Sequence, residues 1–288
     1  MKDRLTEIGF AAGWRLVRML PLPVARSLFV AAADRAYRKN GPGTQRLRRN
    51  LTQVVGEGMP DELVRDGLRS YARYWLEAFR LPSQSKEQLL AGFGITDEHY
   101  DWIRKGATDG GGIILALPHL ANWDAAAGWV AANGWRMVTV MERLKPEGVF
   151  RQFMAYRRKL GMEIIPLTGG ERPPLDVLAE RLGQGFIVCL LSDRDLSRSG
   201  VEVEFFGGRT RMPAGPAILA IRTGAPLYAV DLSFQGKQTY AVLRPITPPT
   251  EGRLDERVKA TTQMLADAYA AGIAEHPQDW HMLQKLWL

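Results

Sequence analysis

Cysteine is nearly absent from this chain, with Cys189 standing alone among 288 residues. A disulfide framework and a cysteine-based metal cluster are therefore excluded. Cys189 lies in the apolar run from Gly185 to Leu191 and reads as a small buried core residue, not a reactive thiol. A reducing, cytoplasmic setting fits that usage. Histidine is scarce too, and no grouping of His, Cys, Asp and Glu has metal-ligand spacing, so no metal is expected. Long apolar runs are missing. No stretch approaches the ~20 uncharged residues that cross a bilayer. Asp3, Glu7, Arg15 and Arg18 interrupt any signal-peptide core. There is no helix-turn-helix signature, zinc-finger spacing or aromatic–basic RNA-binding pattern. Nucleic acid is therefore not the expected partner, despite the cluster at Arg46, Arg48 and Arg49.

What is present is basic charge, concentrated at one end. The net charge is +7, and eleven Lys and Arg against three acids fall within residues 1–50, leaving the remainder near neutrality. The same segment is apolar. Leu5, Ile8, Ala12, Leu16 and Met19 recur at helical spacing, with Phe10, Trp14 and Val17 broadening the face. A basic amphipathic helix of this kind suits an anionic membrane surface, where each cation adds ~1 kcal/mol. The competing reading is an ordinary helix docked on the core.

The first ninety residues read as helices: the amphipathic start, 24–39, a turn at Gly41–Gly43, 46–55, and 61–79 with Asp61 as N-cap. Tyr71, Tyr74, Trp75 and Phe79 share one stripe of the last helix, read as core packing in preference to a substrate platform. From Gly111 short apolar runs (113–117, 137–141, 163–167, 186–192, 227–232) alternate with helical stretches. That pattern implies crossover units. The expected fold is α/β, a mainly parallel central sheet flanked by helices, with an N-terminal membrane-associating helical segment. Residues 1–90 would form the helical, membrane-surface part and 91–288 the core, within one continuous domain. Val201–Phe206 and Thr239–Leu243 look like edge or antiparallel strands. Functional residues in such sheets gather at the carboxyl ends of strands.

The first such end carries Pro118, His119 and, five residues on, Asp124. On one regular helix residues five apart diverge by ~140°. With His119 in the strand-to-helix turn, its ring can instead fold back over the helix start. One nitrogen would donate to Asp124 and the other would serve as a base. The bland reading is a cap residue and an Asp complementing the helix dipole. No nucleophile accompanies the pair, since Ser192 lacks elbow glycines, so the imidazole would act directly on an acceptor hydroxyl. A second cluster, Ser192 to Asp195, follows the fourth apolar run. Asp193, Arg194 and Asp195 there serve either a site or a structural ion pair. A third, from Phe205 to Pro216, is a weak anion-site pattern.

In this order the pieces resemble the bacterial lysophospholipid-acyltransferase-like superfamily that includes lipid A lauroyl/myristoyl acyltransferases. The mannoside branch, phosphatidylinositol mannoside acyltransferases, looks closest. The resemblance spans nearly the whole chain. It is carried by His119 and Asp124, by Asp193–Asp195 with Val201–Gly207, by Met212–Pro216, Thr223–Ala225 and Asp279–Gln284. It implies transfer of a long acyl chain, typically palmitoyl, from acyl-CoA as co-substrate, with no cofactor. The implied acceptor is the mannose 6-hydroxyl of a membrane glycolipid. The implied setting is peripheral, at the cytoplasmic face of the plasma membrane, with an apolar acyl tunnel beside the sheet. By the same resemblance His119 is the base, Asp124 orients it, and Asp193 stands where the mannoside branch carries Glu. Glu142, Arg157, Arg194, Ser199 and Arg222 match substrate- or acyl-CoA-contacting positions. The alternatives are an acyltransferase for another glycolipid such as a lipid A precursor, an acyl-CoA thioesterase, and a non-catalytic lipid-binding module.

Overall fold

The computed structural model describes residues 13–142, 147–195 and 199–288. The start of the expected amphipathic helix, with Ile8 and Phe10, lies outside these residues. From 13 to 19 the chain is helical, and its Trp14 is not an interfacial side chain. Trp14 is buried against Phe79, Phe153 and Tyr156, and its indole N–H donates to the Phe79 carbonyl at 3.0 Å. Arg18 Nε donates to the same carbonyl, and Arg80 Nη1 reaches the carbonyls of Val17 and Leu20. Aromatic burial and four hydrogen bonds thus dock this segment on the core. Leu16, Met19, Leu22, Val24 and Leu28 nonetheless stay exposed, Met19 at 83%.

Three longer helices follow, α1 (Leu22–Lys39), α2 (Pro42–Val55) and α3 (Asp61–Arg80). The turn between α1 and α2 is shorter than expected, Asn40–Gly41, with Pro42 and Gly43 already inside α2. Pro42 sits in the first turn of α2, where its missing N–H costs nothing and its fixed φ is already helical. Asp61 likewise lies inside α3, one position past its N-cap Pro60, where its charge complements the helix dipole. Ala33, Leu47, Leu51, Val64 and Leu68 bind α1, α2 and α3 into a small apolar cluster beside the main core.

Beyond α4 (Lys86–Ala91) the chain builds a seven-stranded sheet. Its strands are β1 (Phe93–Ile95), β2 (Ile113–Leu117), β3 (Met137–Met141), β4 (Met162–Pro166), β5 (Ile187–Leu191), β8 (Leu227–Gln235) and β9 (Gln238–Ile246), in the order β1-β9-β8-β2-β5-β3-β4. All pairs are parallel except β8 with β9. The helices between are α5 (Asp97–Thr108), α6 (Trp123–Ala132), α7 (Glu147–Lys159), α8 (Pro174–Gly183), α9 (Gly215–Thr223) and α10 (Leu254–Glu275). β2 lies mid-sheet and is buried at all five positions, which is why its sequence is an unbroken apolar run. Gly112, at φ +65°, admits it there. A Cβ would stand 2.6 Å from the Leu182 carbonyl oxygen. β6 (Val201–Phe205) and β7 (Gly208–Met212) form a separate antiparallel hairpin, so the alternating Val201 run is a strand outside the main sheet.

Candidate active site

Strand register builds the site. β2 and β5 pair in parallel with Leu117 opposite Leu191, so His119 and Asp193, each two residues further on, leave the sheet side by side. Ser192 N–H donates to the Leu117 carbonyl at 2.9 Å and continues the ladder past the strand ends. His119 Nδ1 then lies 2.5 Å from Asp193 Oδ1, and the His119 backbone N–H donates to Asp193 Oδ2 at 2.9 Å. The imidazole is 17% exposed and the carboxylate fully buried. Burial alone would lift the Asp193 carboxyl. The neighbouring His119 and the hydrogen bonds from His119 and Trp280 outweigh it, leaving the pKa below the usual carboxylate value.

The partner expected from spacing was Asp124, and the structure corrects this. Asp124 is in the first turn of α6, 1% exposed. Its oxygens accept from Arg157 Nε at 2.9 Å and from the Tyr74 hydroxyl at 2.9 Å. Sequence-local geometry allowed the His119–Asp124 contact, but the β2–β5 register brings a different acid closer, and an arginine claims Asp124.

The turn between His119 and α6 is held from the chain's far end. Ala121 has φ +42°, a left-handed conformation that an alanine adopts only when its surroundings impose it. Ala121 N–H donates to the Asp279 carbonyl at 2.8 Å, Leu120 bridges to Trp280, and His281 N–H donates to the His119 carbonyl at 2.9 Å. Asn122 caps α6 by accepting from Ala125 N–H, and its amide donates to Glu77 on α3. The same terminal segment supplies Trp280, whose indole N–H donates to Asp193 Oδ2 at 3.0 Å.

Beneath lies a polar layer absent from the spacing argument. Ser70 donates to Asp279 at 2.7 Å and lies 3.0 Å from His281 Nε2. A hydroxyl has one proton, so Nε2 carries the hydrogen, and Nδ1 is the buried ring nitrogen without a partner among the described residues. Burial, with His119 nearby, drives the His281 pKa down to about 3, so the ring is neutral. The only sequence signal for this layer was the Asp279–Gln284 block. Its partner Ser70 carried none.

Next to the pair, a largely apolar cavity opens between the sheet and α6. Leu115, Leu117, Trp129, Met137 and Leu243 line it, and Trp123, Asp124 and Arg157 form its polar end. His119 meets this end edge-to-face with Trp123, ring centres 5.3 Å apart. Cys189 also faces the cavity, which accounts for its partial exposure. Burial still pushes its thiol up to about 12, so it remains inert. Arg157 is held charged: burial alone would lower its pKa, but Asp124 raises it above the ordinary guanidinium value.

The remaining expected residues scatter. Arg194 is half-buried beside Tyr71. Asp195 Oδ2 accepts from Gly200 N–H at 2.7 Å. Glu142 is exposed just past β3, and Ser199 is exposed. Arg222 pairs with Asp176 at 3.1 Å on the approach to the start of β8, whereas His119 follows the end of β2. The structure thus forms two pairs, His119 with Asp193 and Asp124 with Arg157; Glu142 follows β3 at the same edge of the sheet as Asp193, and Arg222 precedes the start of β8 at the other edge.

Relatives of this chain carry one name. A phosphatidylinositol mannoside acyltransferase of Mycolicibacterium smegmatis is 50% identical over 288 residues, covering 99% of this chain and 92% of that protein. One from Mycobacterium tuberculosis is 45% identical over 286 residues, covering 98% and 89%. The family model described as bacterial lipid A biosynthesis acyltransferase matches residues 4–288, and the chain belongs to that family.

Proposed function

We propose that this protein moves a long acyl chain, palmitoyl in the first instance, from acyl-CoA to the mannose 6-hydroxyl of a phosphatidylinositol mannoside. The observation that carries the reading is the His119–Asp193 pair, whose imidazole packs edge-to-face on Trp123, a residue that lines an apolar cavity. Asp193 accepts from Nδ1, so Nε2 is the ring nitrogen left to receive a proton. Nε2 takes the hydroxyl proton as the sugar oxygen attacks the thioester carbonyl. The tetrahedral oxyanion collapses by breaking the carbon–sulfur bond, and the same proton passes to the CoA thiolate. Asp193 stabilises the imidazolium that exists between those transfers. Arg157, fixed by Asp124 at the cavity wall, is the cation positioned for the oxyanion. The names of the relatives support the acceptor.

The setting proposed is peripheral, at the cytoplasmic face of the plasma membrane. No helix among the described residues is long and apolar enough to cross a membrane. The exposed Leu16, Met19, Leu22, Val24 and Leu28, in a segment rich in arginine, supply apolar insertion and attraction to anionic lipid together. The deciding experiment is single-turnover thiol release from palmitoyl-CoA with and without the mannosylated acceptor. Release and ester formation that require the acceptor support transfer. Release at full rate without it would make the protein a thioesterase.

A further inference from the structure

Tyr71, Trp75 and Phe79 follow one another at four-residue intervals along α3, and all three are only half-buried, while Tyr74 between them is in the core. The stripe packs inward on the core, Phe79 against Trp14 and Trp75 against Phe153, and keeps part of each of its three outer rings uncovered. Opposite it α1 presents Phe29 and the exposed Ala32 and Ala36, and the two faces form a groove of roughly 1100 Å³ counting its open mouth. Small residues on one wall and flat rings on the other leave a channel that is apolar along most of its length. An apolar groove left open to solvent beside half-buried rings is a surface that can take an apolar partner.

Both ends of the groove point to a lipid. At one end Phe29 meets Phe79, ring centres 6.4 Å apart, and the exposed Leu22, Val24 and Leu28 continue along the same helix. Further along, Tyr71 reaches the catalytic layer. Its ring is 5.3 Å from His281, whose N–H binds the His119 carbonyl, and its hydroxyl lies within the field of Arg194, the residue after Asp193. The groove and the cavity beside α6 share no lining residue. Between them stands Tyr74, 4.2 Å from Trp123 on the cavity side and 6.2 Å from Tyr71 on the groove side. Two separate apolar spaces lie on either side of Tyr74, each reaching the surroundings of His119 through its rings, Trp123 on one side and Tyr71 with His281 on the other, the arrangement that a reaction between two lipids needs.

We propose that the α1–α3 groove holds an acyl chain of the acceptor lipid, delivering its sugar head group to His119 past Tyr71 and Arg194. This rests on the reading of the protein as a glycolipid acyltransferase. The donor's chain occupies the cavity beside α6 and the acceptor's chain the groove. Arg194 provides a cation where the acceptor's phosphodiester passes.

Two measurements test it. In the first, the wild-type protein is mixed with vesicles containing phosphatidylinositol that carries a diazirine on one acyl chain, irradiated and digested. Label on peptides spanning 29–36 and 71–79 is expected. Label confined to residues 16–28, or to the cavity beside α6, would overturn the proposal. In the second, Ala32→Trp and Ala36→Trp, each filling the groove from the exposed side of α1, are assayed with the intact acceptor and with its deacylated, water-soluble form. KM for the intact acceptor is expected to rise about tenfold, with the deacylated acceptor and palmitoyl-CoA used as by wild type. Equal effects on both acceptors, or none, would contradict it. A wild-type protein that acylates neither acceptor would sink the transferase reading alone, and the photolabel would still decide the groove.

Discussion

Trp280 and His119 share one oxygen: the indole N–H of Trp280 and the backbone N–H of His119 both donate to Asp193 Oδ2. The other oxygen of Asp193 is left for the imidazole. Three donors on one buried carboxylate keep it ionised and fix its plane, so the ring it holds has one orientation.

Replacing Trp280 by Phe removes one of those donors and keeps an aromatic ring in the pocket. A hydrogen bond to a charged group contributes about 1.5–3 kcal/mol, so kcat should fall roughly ten- to a hundredfold. The acid limb of the kcat/KM profile should also move up in pH, because Asp193 loses a group that stabilises its charged form. A reduced rate with an unmoved profile would make Trp280 a packing residue only.

Asp193→Asn and Asp124→Asn should differ in kind. The first inverts the hydrogen bond on Nδ1 and should cost about 10³–10⁴-fold in kcat, the scale known for losing the carboxylate partner of a catalytic histidine. The second leaves the His119–Asp193 pair intact and frees Arg157, so its loss should be smaller and should be shared by Arg157→Ala, since the two act as one unit. Equal losses for Asp193→Asn and Asp124→Asn, with an additive Asp124/Arg157 double variant, would contradict the assignment of partners.

The sheet was largely legible from the sequence, because its strands are buried on both faces and show as apolar runs. β2 and β3 begin and end where those runs do. β7 escaped because Arg209 and Arg211 break any apolar pattern, and β1 because three residues carry no period. His119 could be picked out by its place after a strand. Its partner could not be fixed by the same route, since it depends on which strand lies beside β2. Seventy-four residues separate His119 from Asp193, and only the register of Leu117 against Leu191 brings them together. Trp280 arrives from the far end of the chain, beyond the reach of any local rule.

His281 makes a prediction about stability. Its folded pKa of about 3 lies below the ordinary histidine value near 6.5, so between those limits the unfolded chain binds the extra proton. Stability should therefore fall as the pH drops from about 6.5 towards 3. Urea unfolding of His281→Leu should show a shallower loss over the acid range than wild type. Parallel curves for the two proteins would mean that this ring is not buried as neutral.

Leu16, Met19, Leu22 and Leu28 are exposed in a basic segment. Changing all four to Ser should weaken binding to anionic vesicles by at least about tenfold, from loss of apolar insertion, without lowering the thermal midpoint. Vesicle sedimentation against lipid concentration reads the first and calorimetry the second. Unchanged binding would assign membrane contact to another surface.

The account depends above all on His119 as the base. Its most direct measurement is the single-turnover rate of palmitoyl transfer to the mannosylated acceptor by His119→Ala, under saturating substrates and with folding verified. Removal of a general base predicts a loss of about 10²–10⁴-fold with both substrates still bound. Transfer within a few-fold of wild type would contradict it.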